Sequence, residues 1–363
     1  MHRLFNVFSS DEYTTVTIAG LQENFEQAVQ LYEDLVMNVK GDEEALKALK
    51  ARIIKSRKDA KLNKGAIMQG LTYYAMYGAK NNFNNTLSSA DLDAITAQEL
   101  IERIEHLNDY EQTIMYYGPA TIEEAVAKIY RLHKVPASFK EPPLKKEFKQ
   151  IPQDKNRVLF ANYDMVQAET RWLRNTEEFD AGKLATVEVF NNYFGGGMGA
   201  IVFQTIRESK ALAYSTFGYY IRPAKKDESF YMMSYVGCQA DKFNEATLAM
   251  NELLNHMPEL PANFELAKNQ VKKDIQTERI TQTAIFRNYL AAKELGLNYD
   301  VRKRIYTSVD SITLDDLKQF HMRNLANKAY TYAIVASDKK ISIEDMKKLG
   351  EVKMLSLEEI FGY

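Results

Sequence analysis

A single cysteine, Cys238, stands among the 363 residues, so no disulfide forms within the chain and no cysteine-based zinc site can be assembled. Long apolar runs are missing as well. No stretch approaches the roughly 20 residues that span a bilayer, and the first residues lack the charged-then-apolar pattern of a secretory signal. Nor is there an excess of one charge: 47 Lys and Arg face 49 Asp and Glu, a net charge of -2, with a sequence pI near 6.3. That balance leaves no electrostatic footprint for nucleic acid. Whether the compartment is the bacterial cytoplasm or the periplasm depends on a signal peptide ahead of residue 1 in a longer parent.

What is present is apolar content of 45%, enough for two compact domains with cores of their own. The most legible stretch runs from Phe190 to Ile221. Gly195, Gly196 and Gly197 form a turn, after which Met198, Ile201, Val202, Thr205 and Ile206 fall on one face at helical spacing. That helix ends in Arg207-Glu208-Ser209-Lys210, where a cation suits the negative end of the helix dipole. From Tyr214 the period changes to that of a strand. Three glycines invite a phosphate-loop reading, yet no Gly-Lys-Ser/Thr follows and no Gly-x-Gly-x-x-Gly opens a nucleotide fold.

A second signal is internal repetition. Tyr13 to Ala19 reads as a strand, and Phe25, Ala28, Val29, Tyr32, Leu35, Val36 and Val39 make the apolar stripe of the helix behind it. About 218 positions later, Phe230 to Val236 is a strand, and Phe243, Ala246, Thr247, Met250, Leu253, Leu254 and Met257 repeat the stripe. Thr96-Ala97-Gln98-Glu99 parallels Thr313-Leu314-Asp315-Asp316 as a capping box, and a strand at Gln112 to Tyr117 parallels Tyr330 to Val335. Between the copies, Pro136 to Lys155 joins Pro136, Pro142, Pro143 and Pro152 to Lys140, Lys145, Lys146 and Lys149 and reads as an extended linker. The second copy opens with Arg157 to Tyr163 and with Met165 to Leu173, whose alternation predicts a half-buried strand. Strands joined by hairpins and covered by runs of helices indicate an α+β fold. Its layout is two related two-layer sandwich units, each a mixed or antiparallel sheet covered by helices. The expected organisation is 1–135, the back half of a first unit lacking its N-terminal half; 136–155, the linker; and 156–363, a complete second unit. The missing front leaves the opening strands with unpaired edges.

The Phe194-Gly195-Gly196-Gly197-Met198 turn, the helix from Ile201 to Arg207, and Tyr214 seven positions after Arg207 resemble the C-terminal signature of the pitrilysin/insulinase family of inverted zinc peptidases. The resemblance extends through Phe243 to Met257 and on to Leu357-Glu358-Glu359-Ile360-Phe361-Gly362-Tyr363, and looks most like the long bacterial members with four such units on one polypeptide. Ala211 stands where the family usually has glycine, which hinders the turn into Tyr214. An inverted zinc peptidase needs His-x-x-Glu-His on a helix, two imidazoles on one face to hold the metal and a glutamate to work as base on the bound water. His2, His106, His133, His256 and His321 never have that spacing. The nearest miss, Glu102-Arg103-Ile104-Glu105-His106, has glutamate at the first ligand position and lies in a back-half helix, whereas the family places its metal helix in the front half. Cys238 has no activating partner, and Ser209 and Ser215 lack a nucleophile elbow.

No catalytic residue and no metal ligand is therefore expected in this chain. The resemblance implies zinc in a missing N-terminal half of the same polypeptide and a peptide substrate held at it. In the family the arginine and tyrosine of this motif, here Arg207 and Tyr214, reach across a chamber to the substrate. Guanidinium and phenol donors suit a peptide carbonyl or the oxyanion formed when water attacks it. The alternatives that stay open are a catalytically inactive scaffold or assembly subunit of the same fold and a peptide-binding module. An exposed sheet edge beside the aromatic hairpin is a further expectation, as a place for an extended peptide to add as a strand.

Overall fold

The computed structural model describes residues 4–10 and 12–363. Two compact units emerge, one formed by residues up to Lys58 together with Leu87–Glu147, the other by Asp59–Thr86 together with Phe148–Tyr363.

In the first unit, β1 (Leu4–Ser9) and β2 (Thr14–Ala19) pair as an antiparallel hairpin with Leu4 opposite Ala19. The helix Phe25–Met37 follows. Its stripe is thinly covered: Val36 is buried, but Leu35 stays 45% exposed. The matching helix of the second unit, Phe243–Asn255, buries Phe243, Ala246, Met250 and Leu254 almost completely. The expected strand at Gln112–Tyr117 does not form; the segment belongs to no sheet. Its counterpart β7 (Thr331–Ala336) is paired on both sides, to β3 (Arg157–Asn162) and to β4 (Gln167–Glu178). Nothing among the described residues of the first unit takes those two places, and a lone extended segment gains no ladder bonds.

The second unit holds a six-stranded mixed sheet in the order β5-β6-β4-β7-β3-β8, where β5 is Ser215–Ile221, β6 Ser229–Gln239 and β8 Glu351–Met354. β3 runs parallel to β7 and β8, and the remaining pairs are antiparallel. One face carries the main core, with Trp172, Phe190, Phe194, Tyr220, Phe230 and Phe243 packed among the helices Leu184–Phe194, Phe243–Asn255, Pro261–Thr277 and Leu314–Asn324. On the other face the helix Lys64–Tyr77 lays Ile67, Met68, Leu71, Ala75 and Met76 against Leu159, Ala161, Leu173, Ala333 and Val335. Each large side chain so buried contributes about 2 kcal/mol. This helix explains why β4 is not half-buried as its alternation predicts. Its second face sits under Lys64–Tyr77, with Lys64 Nζ 2.5 Å from Glu169 Oε1 and Arg171 donating to Thr72 Oγ1 at 2.9 Å.

The repeat is visible in individual contacts. Lys50 Nζ donates to the carbonyls of Asp93 and Ile95 at 2.7 and 2.6 Å, and Lys268 Nζ donates to those of Asp310 and Ile312 at 3.2 and 3.0 Å. Both lysines tie a long helix to the turn before a threonine N-cap, Thr96 in one copy and Thr313 in the other. Thr313 and Asp316 complete a reciprocal capping box; at Thr96 only the threonine's half is made.

Candidate functional site

The glycine triplet owes its composition to packing. The helix Leu184–Phe194 ends with the amides of Gly195 and Gly196 both donating to the Asn191 carbonyl, at 3.1 and 2.7 Å. It ends pressed on β5, so close that a Cβ on Gly195 meets the Gly218 carbonyl oxygen at 1.8 Å, and Gly197 has φ of +113°. The triplet is a turn against a strand.

That contact also decides the fate of the sheet edge. β5 is the outer strand, but its outward backbone is occupied at Gly218 and Tyr220. Gly218 N–H donates to the Gly195 carbonyl at 3.3 Å, while the Asn191 side chain accepts from Tyr220 N–H at 2.8 Å and donates to the Tyr220 carbonyl at 3.0 Å. Strand addition along this stretch has to displace those bonds, so the expectation of a free edge is corrected.

Beyond the turn the chain enters the helical segment that carries Arg207. Ile201, Val202 and Ile206 are buried as the spacing predicts, but Met198 is 76% exposed. The winding also differs from expectation: Phe203–Ser209 is a π-helix. Lys210 N–H reaches back to the Thr205 carbonyl at 3.1 Å and Leu212 N–H to that of Ile206 at 2.9 Å. Closing those bonds requires Ala211 to adopt φ of +49°, the left-handed region that L side chains enter at a cost. The departure noted at this position is thus a strained one. Ala211→Gly is expected to raise the urea midpoint by the equivalent of about 1 kcal/mol; a lowered midpoint would show that the left-handed turn carries no strain.

Arg207 projects outward, its guanidinium carbon 4.8 Å from the Phe203 ring centre and its Nε 3.7 Å from Glu208 Oε1. Tyr214 is 80% exposed, although its own N–H is tied to the Gly237 carbonyl at 2.8 Å. Following it, the hairpin sorts its aromatics by face. Tyr220 and Met232 are fully buried, whereas Phe217, Tyr219 and Tyr235 form a partly open row, with Phe217 centred 5.1 Å from Tyr235 and 5.5 Å from Tyr219. Burial, with the Glu169 charge beside it, pushes the Tyr235 phenol up to about 12. Gly196 leaves room for Tyr219, whose ring lies 2.9 Å from where a Cβ would stand.

The metal chemistry of the family finds no donor set here. Among the described residues no three His, Cys, Asp or Glu side chains gather in a way that holds a metal ion. His106 is engaged locally, its Nδ1 2.7 Å from Asp109 Oδ2. His133 Nδ1 lies 2.6 Å from Glu33 Oε1 in a buried pair, and His321 Nε2 is 3.1 Å from the Leu253 carbonyl oxygen. His256 caps the end of the helix Phe243–Asn255, and His2 lies outside the described residues. Burial pushes the Cys238 thiol up to about 12, with Asp241 adding to it, so the thiol stays protonated and inert. The described residues do not fit zinc.

A six-stranded mixed sheet covered by helices on both faces defines the second unit as an α+β sandwich. Residues 87–271, just over half of the chain, match the family described as the peptidase M16 inactive domain, and the chain belongs to that family. It is 22% identical over 347 residues to a Bacillus subtilis (strain 168) protein described as an uncharacterized zinc protease, YmxG, covering 91% of this chain and 80% of the relative. Among solved structures it resembles a peptidase M16 inactive domain from Pseudomonas fluorescens with a TM-score of 0.69 at 14% identity, over 92% of this chain and 81% of that one. It resembles pitrilysin with a TM-score of 0.67 at 11% identity, over 98% of this chain and 38% of pitrilysin. No helix among the described residues is long and apolar enough to cross a membrane.

Proposed function

We propose that this chain is the metal-free, substrate-holding part of a zinc metalloendopeptidase. Arg207 and Tyr214 contact the backbone of a peptide, and the chain closes the chamber in which a zinc-bearing N-terminal half of the same polypeptide performs hydrolysis. The observation that carries this reading is the exposure of two large polar side chains on an anchored segment. Tyr214 stands 80% exposed while its amide is fixed to β6, and Arg207 leans on an aromatic ring with its neighbour Glu208 beyond hydrogen-bond distance. A helix that only needed a cation at its end has no use for that arrangement. Donors held in advance at the position of a developing oxyanion are worth more than mobile ones.

The test is reconstitution. Combined with a zinc-loaded N-terminal half, the wild-type chain is expected to support peptide hydrolysis, while Arg207→Ala or Tyr214→Phe lowers turnover about 100-fold. Zinc content and urea midpoint stay unchanged, because both side chains are exposed. Wild-type kinetics in both variants removes the assignment and leaves a scaffold of the same fold.

A further inference from the structure

The segment carrying Arg207 is wound unlike any other helix among the described residues. Turns that close between residues five apart are rare and occur mostly as single widened turns, often at functional sites. The winding changes which side chains meet. In an α-helix, residues four apart share a face but are offset around the axis; in the wider turn they stand nearly one above the other. Here those residues are Phe203 and Arg207, and 4.8 Å between guanidinium carbon and ring centre is inside the range of a cation–π contact. The neighbouring carboxylate is a poor competitor, because 3.7 Å from Glu208 Oε1 to Arg207 Nε is too long for a hydrogen bond.

The backbone beneath this pair is held at both ends. Ile201, Val202 and Ile206 are 2%, 0% and 0% exposed, and the Lys210 and Leu212 amides close the last turns. Only the side chain remains to be ordered. An arginine left free has many rotamers to lose when it grips a ligand, and a ring that holds it beforehand removes part of that cost.

We propose that Phe203 is a positioning residue for Arg207, its ring presenting the guanidinium in a fixed orientation to a bound peptide, and that the π winding is what aligns the two. The inference rests on the reading of Arg207 as a peptide contact. Phe203 is partly exposed, so it can be exchanged without opening a core cavity. Phe203→Leu keeps an apolar side chain and removes the π face; Phe203→Trp keeps the face.

Two readouts on the full chain separate the possibilities. Nitrogen relaxation at Arg207 Nε reports the order of the side chain without any ligand. Fluorescence anisotropy with a labelled peptide of Ala, Leu, Ser and Lys residues reports binding. Phe203→Leu is expected to make Nε mobile and weaken binding about fivefold, with Phe203→Trp restoring both and the urea midpoint unchanged. If Nε stays as ordered in Phe203→Leu as in the wild type while Arg207→Ala still weakens binding, the positioning role is overturned and the peptide contact stands. If Nε becomes mobile but neither Phe203→Leu nor Arg207→Ala alters affinity, the peptide-contact reading itself has failed, and the proposal with it. Loss of affinity that Phe203→Trp does not restore assigns the effect to bulk packing and also overturns the proposal.

Discussion

Replacing Gly195 by alanine is expected to destabilise the protein by about 4 kcal/mol or more, near the upper end of what a single added methyl does. The reason is that the obstacle is backbone. A Cβ at Gly195 falls 1.8 Å from the Gly218 carbonyl oxygen, 2.4 Å from its carbon and 2.5 Å from its nitrogen, and no side chain can swing away to make room. The helix Leu184–Phe194 and β5 have to separate instead. Doing so breaks the Gly218–Gly195 bond and the paired Asn191–Tyr220 bonds. The neighbouring glycines supply the controls. Gly197, at φ of +113° with open space around it, is expected to lose about 1 to 2 kcal/mol on change to alanine. Gly199 has nothing within 4 Å of the added atom and is expected to stay within about 0.5 kcal/mol of the wild type. Urea unfolding of the three variants gives the order directly. Equal sensitivity at all three positions would mean that the turn is needed for flexibility and not for close approach.

That order was only partly readable from the chain. The spacing of Ile201, Val202 and Ile206 marked a buried face, and the offset of about 218 positions marked a duplicated layout, because both are properties of local periodicity. The reason for the glycines was not readable, since it lies in Gly218, more than twenty positions away, and a one-dimensional pattern carries no record of which backbones touch. The same limit applies to β4. Gln167, Glu169 and Arg171 alternate with apolar residues and look solvated, yet Glu169 is buried beneath Lys64, because a helix more than ninety positions earlier covers that face. Gln112 to Tyr117 has strand composition without strand partners, and composition cannot report a missing neighbour. At the candidate site, Arg207 and Tyr214 were named from a motif and are found exposed. The π winding that sets Arg207 over Phe203 was invisible, as residues four apart fit either helix. The one local clue was alanine at 211, where a glycine was expected and where the backbone is left-handed.

Acid is expected to remove about 3 kcal/mol of stability between pH 6.5 and pH 4 through a single group, His321. Its imidazole is 2% exposed on the helix Leu314–Asn324, flanked by Phe194 at 5.9 Å and Phe190 at 6.5 Å between ring centres. Burial pushes it down to about 4 from its ordinary 6.5, with the nearby His256 acting in the same direction and the Leu253 carbonyl opposing. Between those values the unfolded chain binds a proton that the folded chain refuses, so stability rises with pH across the window. The contribution is whole above pH 6.5, declines as the pH falls toward 4, and changes no further below that. Asp345, lowered to about 2 by its bonds to Lys348, Ser342 and Asn244, loses its contribution at lower pH, so the two effects separate on the pH axis. His321→Gln retains an amide to donate to the Leu253 carbonyl but has no proton to accept, and its urea midpoint is expected to be much flatter from pH 6.5 to 4. A variant that falls as steeply as the wild type would place the acid sensitivity elsewhere. The site is implicated because Phe194 is the last residue of the helix that ends at Gly195. Charging the imidazole beside that ring is expected to loosen the terminus pressed on β5.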